Sequence, residues 1–302
     1  MKPPLLILCA TDLSPDADVA VVAANDIARV FGSRLVFVHA VPFPAPARVL
    51  FPHLVQRTTD RLMAVSRVAA DTVTARILSL TGRSGDNLDI RVDVGPPEEV
   101  IVETAEESGA DLLVIGVAGS DSSGPGLGDT ALRIVRHAHC PVLLVRAGPA
   151  KGPILAATDL SEPAQSAVSM ADMWARKREE PLVTIHVVDY SPIVVVPEAF
   201  GPGIPIPVSE EEHKAILKAA SDRLTEVLGR LEIKADRLIE EGAPAERIVS
   251  ASEQIEASLV VVGASGGGGL RRLLLGSVAE DVLRDAPCSV LLVRHHPSGG
   301  KE

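Results

Sequence analysis

Aromatic residues make up only 2% of the chain: five Phe, one Tyr and one Trp. So few flat side chains leave little for nucleic-acid bases to stack on. Basic residues are also in deficit, 29 Lys and Arg against 40 Asp and Glu, and the resulting net charge of −11 opposes binding to a phosphate backbone. Nucleic acid is therefore not an expected partner. The three cysteines, Cys9, Cys140 and Cys288, are odd in number, far apart and set in apolar runs, and no CxxC pair occurs. That spacing supports neither a disulfide framework nor a zinc site, and predicts free, buried thiols in a reducing compartment. No apolar run approaches the roughly 20 residues of a membrane span. The first residues, one Lys before the short LLILCA, lack a signal-peptide layout. A cytoplasmic protein with no membrane partner is expected.

What the chain does hold is length and aliphatic bulk. Its 302 residues, 46% of them apolar, suffice for two cores of ordinary size. The apolar residues are mostly Val, Leu, Ile and Ala, as in strands buried on both faces beneath helices.

The sequence is a duplication. Residues Ile7 to Ser14 read ILCATDLS and Ile154 to Ser161 read ILAATDLS, seven matches in eight at an offset of 147. The same offset aligns Val38-His39-Ala40-Val41 with Ile185-His186-Val187-Val188, and Gly95-Pro96-Pro97-Glu98-Glu99 with Gly242-Ala243-Pro244-Ala245-Glu246. Gly128 to Arg146 and Gly276 to Arg294 match at 10 of 19 positions, now at an offset of 148, so one residue was lost or gained between Gly119 and Gly128. A repeat this long is a doubled domain, not a solenoid unit. The turn-forming stretch from Ala147 to Pro153 marks the joint, which predicts domains at 1–147 and 152–302.

Each half alternates short apolar runs with longer amphipathic stretches. The first half predicts strands near 5–10, 34–41, 88–94, 111–116 and 141–146, with helices near 15–31, 55–80, 97–108 and 129–138. The second predicts strands near 153–158, 182–188, 235–241, 258–263 and 288–294, again separated by helices. Ser14-Pro15 supplies a helix cap followed by proline at the first helical position. Strands joined through helices are parallel with right-handed crossovers, so each half is expected to be a five-stranded, doubly wound α/β domain. Pro192 to Pro207, with five prolines and two glycines, is expected to be a surface loop.

In such sheets ligands bind beyond the carboxyl ends of the strands, where the winding reverses. Two features fall there. One is the Asp that follows the first strand, Asp12 and Asp159. The other follows the fourth strand of the second half: Gly263-Ala264-Ser265-Gly266-Gly267-Gly268-Gly269, an arginine-bearing apolar stretch, then Gly276-Ser277 opening a helix. Glycines let a backbone approach a pyrophosphate, a helix start offers free N–H groups to an anion, and Ser277 adds a hydroxyl. Neither GxxxxGK[ST] nor a GxGxxG after the first strand occurs.

With these residues the sequence resembles the universal stress proteins, in their tandem two-domain, ATP-binding form. The family signature G-x2-G-x9-G-[ST] is met by Gly263, Gly266, Gly276 and Ser277 without a gap, and the likeness covers nearly the whole chain twice. The resemblance implies Rossmann-like domains (the adenine nucleotide α-hydrolase type), each with a parallel sheet of order 3-2-1-4-5. It also implies ATP or AMP held between strands one and four. Carried over by motif, Asp159 would contact the ribose or the adenine edge, and Val187 would pack on adenine. Gly263, Gly266, Gly276, Ser277 and Val278 would hold ribose and phosphates.

The first half departs from that signature. Asp12, Ala40, Gly116, Gly119 and Gly128 stand at the corresponding places, but only eight residues separate Gly119 from Gly128. Aligned on the following helix, Asp129 takes the hydroxyl position; keeping nine intervening residues instead puts Asp129 on the glycine and Thr130 on the hydroxyl. Either way a carboxylate sits where phosphate would. Two unit charges about 4 Å apart repel by roughly 4 kcal/mol at an effective dielectric near 20, unless a bridging Mg²⁺ or a re-aimed side chain relieves it. The expectation is asymmetry, with ATP in the second half and weak, adenosine-like or no binding in the first.

Plainer readings stand beside these. Asp12 and Asp159 also suit a turn, although Ser14 and Ser161 are better placed as caps. Arg271 and Arg272 either neutralise phosphate or sit idle on a surface. His137-Ala138-His139-Cys140 aligns with Asp285-Ala286-Pro287-Cys288, which could not ligate the same ion, so no metal site is expected. No nucleophile with a base and an orienter repeats in both halves, so no catalytic residue is expected. Three functions follow: a nucleotide-binding stress regulator, a slow ATP hydrolase, or a nucleotide-free scaffold. In a 3-2-1-4-5 sheet the last strands, around Val142 to Val145 and Val290 to Val293, are open edges. They are expected to pair within the chain as a pseudo-dimer, and two chains to form a homodimer.

Overall fold

The computed structural model describes residues 3–42, 55–83, 88–117, 127–149, 151–189, 193–195, 205–207, 209–264 and 275–294. In the first half the elements are β1 (Leu6–Ala10), α1 (Pro15–Phe31), β2 (Arg34–Val41), α2 (Val55–Thr81), β3 (Asp89–Val94), α3 (Pro97–Ser108), β4 (Leu112–Gly116), α4 (Asp129–His137) and β5 (Val142–Val145). The second half has β6 (Ile154–Ala157), α5 (Glu162–Arg178), β7 (Leu182–Val188), β8 (Ile193–Val195), β9 (Pro205–Pro207) and α6 (Glu210–Arg230). It continues with β10 (Asp236–Glu241), α7 (Pro244–Gln254), β11 (Leu259–Gly263), α8 (Ser277–Asp285) and β12 (Ser289–Val293).

Local chemistry sets these limits. Ser14 caps α1, its hydroxyl accepting from the Ala17 amide at 3.2 Å, Pro15 starts the helix, and Gly32 ends it in the left-handed region at φ 70°. Ser209 and Glu212 form a reciprocal capping box on α6. β8 and β9 pair antiparallel, Ile193 opposite Pro207 and Val195 opposite Pro205, where a loop was expected. Proline cannot donate to a ladder, but a two-stranded ribbon has outward-facing positions that ask for no donor.

Ten strands form one sheet in the order β10-β7-β6-β11-β12-β5-β4-β1-β2-β3. Each half thus has the order 3-2-1-4-5, and its own strands are parallel. The halves join where β12 meets β5, antiparallel, with Leu291 opposite Leu143. The most apolar strands therefore lie at the centre. The outer edges, β3 (DIRVDV) and β10 (DRLIEE), carry charges that discourage further strand addition.

Both faces of the sheet are shared cores. One packs Leu8, Leu113 and Leu144 with Leu155, Val260 and Leu292; the other packs Ile7, Phe37 and Leu143 with Ile154, Trp174 and Leu291. The rings of Phe31 on α1 and Trp174 on α5 lie 5.3 Å apart across the join. Two repeat-equivalent arginines fasten it. Nη2 of Arg146 donates to the carbonyls of Leu283 and Arg284 at 2.7 and 2.9 Å. Nη2 of Arg294 donates to those of Val135 and Arg136 at 2.6 and 3.0 Å. Each cation thereby meets the negative end of the other half's last helix, and burial lowers the pKa of both guanidinium groups. Arg136 and Glu280 add an ion pair at 2.9 Å.

Candidate functional site

The first strand of each half runs into the same Thr-Asp-Leu-Ser turn. The Thr11 hydroxyl accepts from the Leu13 amide at 3.1 Å and Asp12 Oδ1 from the Ser14 amide at 3.0 Å. In the second half Thr158 accepts from the Leu160 amide at 3.0 Å and Asp159 Oδ1 from the Ser161 amide at 2.9 Å. These bonds hold Leu13 and Leu160 at φ 66° and 64°, a left-handed conformation that costs a leucine about 1 kcal/mol or more. Asp12 and Asp159 are thus turn residues, whatever else they do. Ser161 sits at the N-cap of α5, yet its hydroxyl donates to Asp159 instead of capping the helix, unlike Ser14. The second strand is pinned to the same turn. Nδ1 of His39 meets the Thr11 carbonyl at 2.8 Å and Nδ1 of His186 meets that of Thr158 at 2.9 Å. A carbonyl only accepts, so each Nδ1 carries the proton.

Beyond the turn of the second half lies a cavity of about 300 Å³, at the carboxyl ends of β6, β7 and β11. It straddles the point where the strand order reverses, between β6 and β11. Asp159, Val187, Gly263, Gly276, Ser277 and Val278 all line it. Gly266, with Arg271 and Arg272, lies outside the described residues. Sequence reasoning missed Pro244 and Ile248, which form a wall from α7; the signal was there in the apolar positions of a helix that begins two residues after Gly242, the glycine following β10. Among the described lining residues Asp159 carries the only ionisable side chain. The cavity is thus an apolar slot with a carboxylate at one side and a helix start at another.

That helix start is arranged in a particular way. The Gly276 amide donates to the Ala264 carbonyl at 2.8 Å, and the Ala264 amide to the Val293 carbonyl at 2.9 Å. The Gly276 N–H is therefore already used. Its φ of −70° and ψ of 149° are open to any residue, so backbone conformation is not what places a glycine there. Gly276 brings no side-chain cap to α8, and the amides of Ser277, Val278 and Ala279 have no partner within the helix. They stand at its positive end.

The first half repeats the frame with different contents. Gly128 caps α4 as Gly276 caps α8, its amide donating to the Val117 carbonyl at 3.0 Å. Asp129 opens α4 and so corresponds to Ser277, the first of the two alignments. Asp12 is exposed and Ala40 is buried. Gly116 has a packing reason of its own: a Cβ there would lie 2.9 Å from the carbonyl carbon and oxygen of Asp16, in the first turn of α1. Gly119 lies outside the described residues.

The remaining polar candidates do not converge. Nδ1 of His137 bonds back to the Arg133 carbonyl at 2.8 Å, while His139 lies 3.8 Å from Glu106. Among the described residues no group of three or more His, Cys, Asp or Glu side chains could hold a metal ion. No helix among them is long and apolar enough to cross a membrane.

Comparison with known proteins gives a consistent result. A model described as the universal stress protein family matches twice, over residues 6–146 and 152–294. Universal stress protein Rv2623 of Mycobacterium tuberculosis is 30% identical over 297 residues, covering 95% of this chain and 96% of the relative. Universal stress protein MJ0531 of Methanocaldococcus jannaschii is 36% identical over 141 residues, 47% of this chain and 81% of the relative. The crystal structure of a universal stress protein from Archaeoglobus fulgidus superposes with a TM-score of 0.65 at 19% identity, covering 99% of this chain and 98% of that one, a likeness of fold.

Proposed function

The chain belongs to the universal stress protein family, and on that premise we propose that its second half, residues 152–302, binds an adenine nucleotide, ATP or AMP, as a regulatory ligand. The observation that carries this reading is the convergence of Asp159, Val187 and the open N-terminus of α8 on one cavity at the sheet's switch point. Adenine would lie against Val187, Pro244 and Ile248, and the ribose hydroxyls would donate to the Asp159 carboxylate. The amides of Ser277, Val278 and Ala279, with the Ser277 hydroxyl, would receive phosphate oxygens. Gly263 and Gly266 would let the intervening segment come close. No described carboxylate pair faces the phosphate end, so Mg²⁺ would enter with a polyphosphate rather than wait in the site.

In the same reading the first half, residues 1–147, is the degenerate copy. Asp129 places a carboxylate at the start of α4, where Ser277 offers a hydroxyl in α8. Phosphate is repelled there, leaving an adenosine-like ligand, a weakly held nucleotide or none. Mass-spectrometric identification of the ligand released from freshly purified, denatured protein tests the proposal, followed by equilibrium titration of that ligand. One adenine nucleotide per chain is the expected result. Protein that carries no nucleotide and takes none up contradicts it.

A further inference from the structure

The helix that opens on the cavity is fastened from the other half of the chain. α8 presents Ser277, Val278 and Ala279 to the cavity. The next residue, Glu280, pairs with Arg136 of α4 at 2.9 Å. At the far end of the helix the carbonyls of Leu283 and Arg284 accept from Nη2 of Arg146, the residue that follows β5. Arg146 is itself pinned, its amide donating to the Ser289 hydroxyl on β12 at 3.2 Å. At 1.5 Å of rise per residue α8 is only about 13 Å long. A rod that short moves as one piece, so whatever fixes its last turn fixes where its first amides point. Without the two bonds from Arg146 the last carbonyls of α8 would lose their charged partner in a half-buried place.

We infer that Arg146, with Arg136, is a positioning residue for the nucleotide site of the second half, so that this site is completed by a side chain from the first. The inference rests on the nucleotide reading of the cavity. It also makes the dependence mutual: if the contact between the halves sets affinity, nucleotide occupancy must strengthen that contact by the same factor. The repeat supplies its own control. Arg294 makes the same pair of bonds, but to Val135 and Arg136 of α4, and it donates nothing to α8.

The test uses the full chain and three variants, Arg146→Met, Arg146→Lys and Arg294→Met, each titrated calorimetrically with AMP and with ATP. A urea melt of each runs in parallel. The expected result is an affinity for Arg146→Met weaker by about fivefold or more, the lower end of ordinary coupling between sites. Arg146→Lys restores part of it, because an ammonium can still donate to the carbonyls. Arg294→Met loses similar stability with a clearly smaller loss of affinity than Arg146→Met, because it reaches α8 only indirectly, through the backbone of Arg136 and the Arg136–Glu280 pair. Equal weakening by Arg146→Met and Arg294→Met overturns the inference, because it would report general loosening. Unchanged binding by Arg146→Met overturns it too. Should Arg146→Met fail to fold, Arg146→Lys carries the test, with a smaller loss of affinity than about fivefold expected and no loss overturning the inference. A wild-type protein that binds neither nucleotide overturns the reading of the cavity and this inference with it, an outcome plain before any variant is made.

Discussion

The amide of Gly276 donates to the carbonyl of Ala264 at 2.8 Å, closing the loop after β11 at the place where α8 begins. The bond removes one donor from the proposed phosphate site and leaves the work to the next three amides. Ser277, Val278 and Ala279 therefore become the residues on which binding turns.

Ser277→Asp separates binding from folding. An acidic residue in the first turn favours a helix by about 0.3–1 kcal/mol, so the thermal midpoint is expected to hold or rise. The same charge beside a phosphate repels it, by up to about 4 kcal/mol at close range before screening. Calorimetric titration should show ATP and AMP binding weakened by about tenfold or more, with adenosine much less affected. Unchanged ATP affinity would contradict the assignment of phosphate to this helix.

Gly116→Ala is predicted to act on stability alone. Its added methyl would press on the Asp16 carbonyl of α1, a backbone contact that cannot swing aside. A loss of about 1–3 kcal/mol is expected from the denaturant midpoint, with nucleotide binding in the second half intact. Loss of binding with stability preserved would give Gly116 a ligand role.

The two halves should unfold together. Each face of the sheet draws its core from both, and the only Trp, Trp174, rests on Phe31 across the join. Tryptophan emission and far-UV circular dichroism are expected to trace one transition in urea. Two separated transitions would mean that the join between β5 and β12 is weaker than its buried surface implies.

Stability should fall as pH rises above about 8.5, the ordinary thiol value. Burial pushes the Cys140 and Cys288 thiols up to about 11, and Cys9 higher still. The unfolded chain releases these protons near the ordinary value while the folded chain keeps them. Between those values the unfolded state binds fewer protons, so the stability present below the unfolded pKa is lost progressively toward the folded one. Urea midpoints measured between about pH 8 and 10.5 should decline, and Cys288→Ala should flatten the decline. The native thiols should also react slowly with alkylating reagents at neutral pH.

Most of the fold was legible because two periodicities alternate cleanly. Runs such as VLLV in β5 are buried on both faces, and helices such as α1 announce themselves by Ser14, Pro15 and Gly32. The duplication allowed each element to be read twice, while the strand order 3-2-1-4-5 of both halves, which the sheet has, came from the resemblance to the universal stress proteins and not from the periodicities. The β8–β9 ribbon was hidden, because its prolines signal a loop unless the partner strand is known. For the candidate site, Asp159 after β6 and Ser277 at the start of α8 were legible, the first from its place at a strand end and the second from the Gly-Ser pair that opens a helix; both line the cavity. Three things were not. The diversion of the Ser161 hydroxyl to Asp159 depends on side-chain geometry. The use of the Gly276 amide by Ala264 is a backbone bond that no side chain advertises. The reach of Arg146 to Leu283 spans 137 residues and ends on a carbonyl, which carries no sequence signature.

The most direct test of the central claim is the amide spectrum of the isotope-labelled full chain as ATP is added. The account predicts that the Ser277, Val278 and Ala279 amides shift most. Their first-half counterparts Asp129, Thr130 and Ala131 should barely move. Still amides at the start of α8, or equal movement at the start of α4, would contradict it.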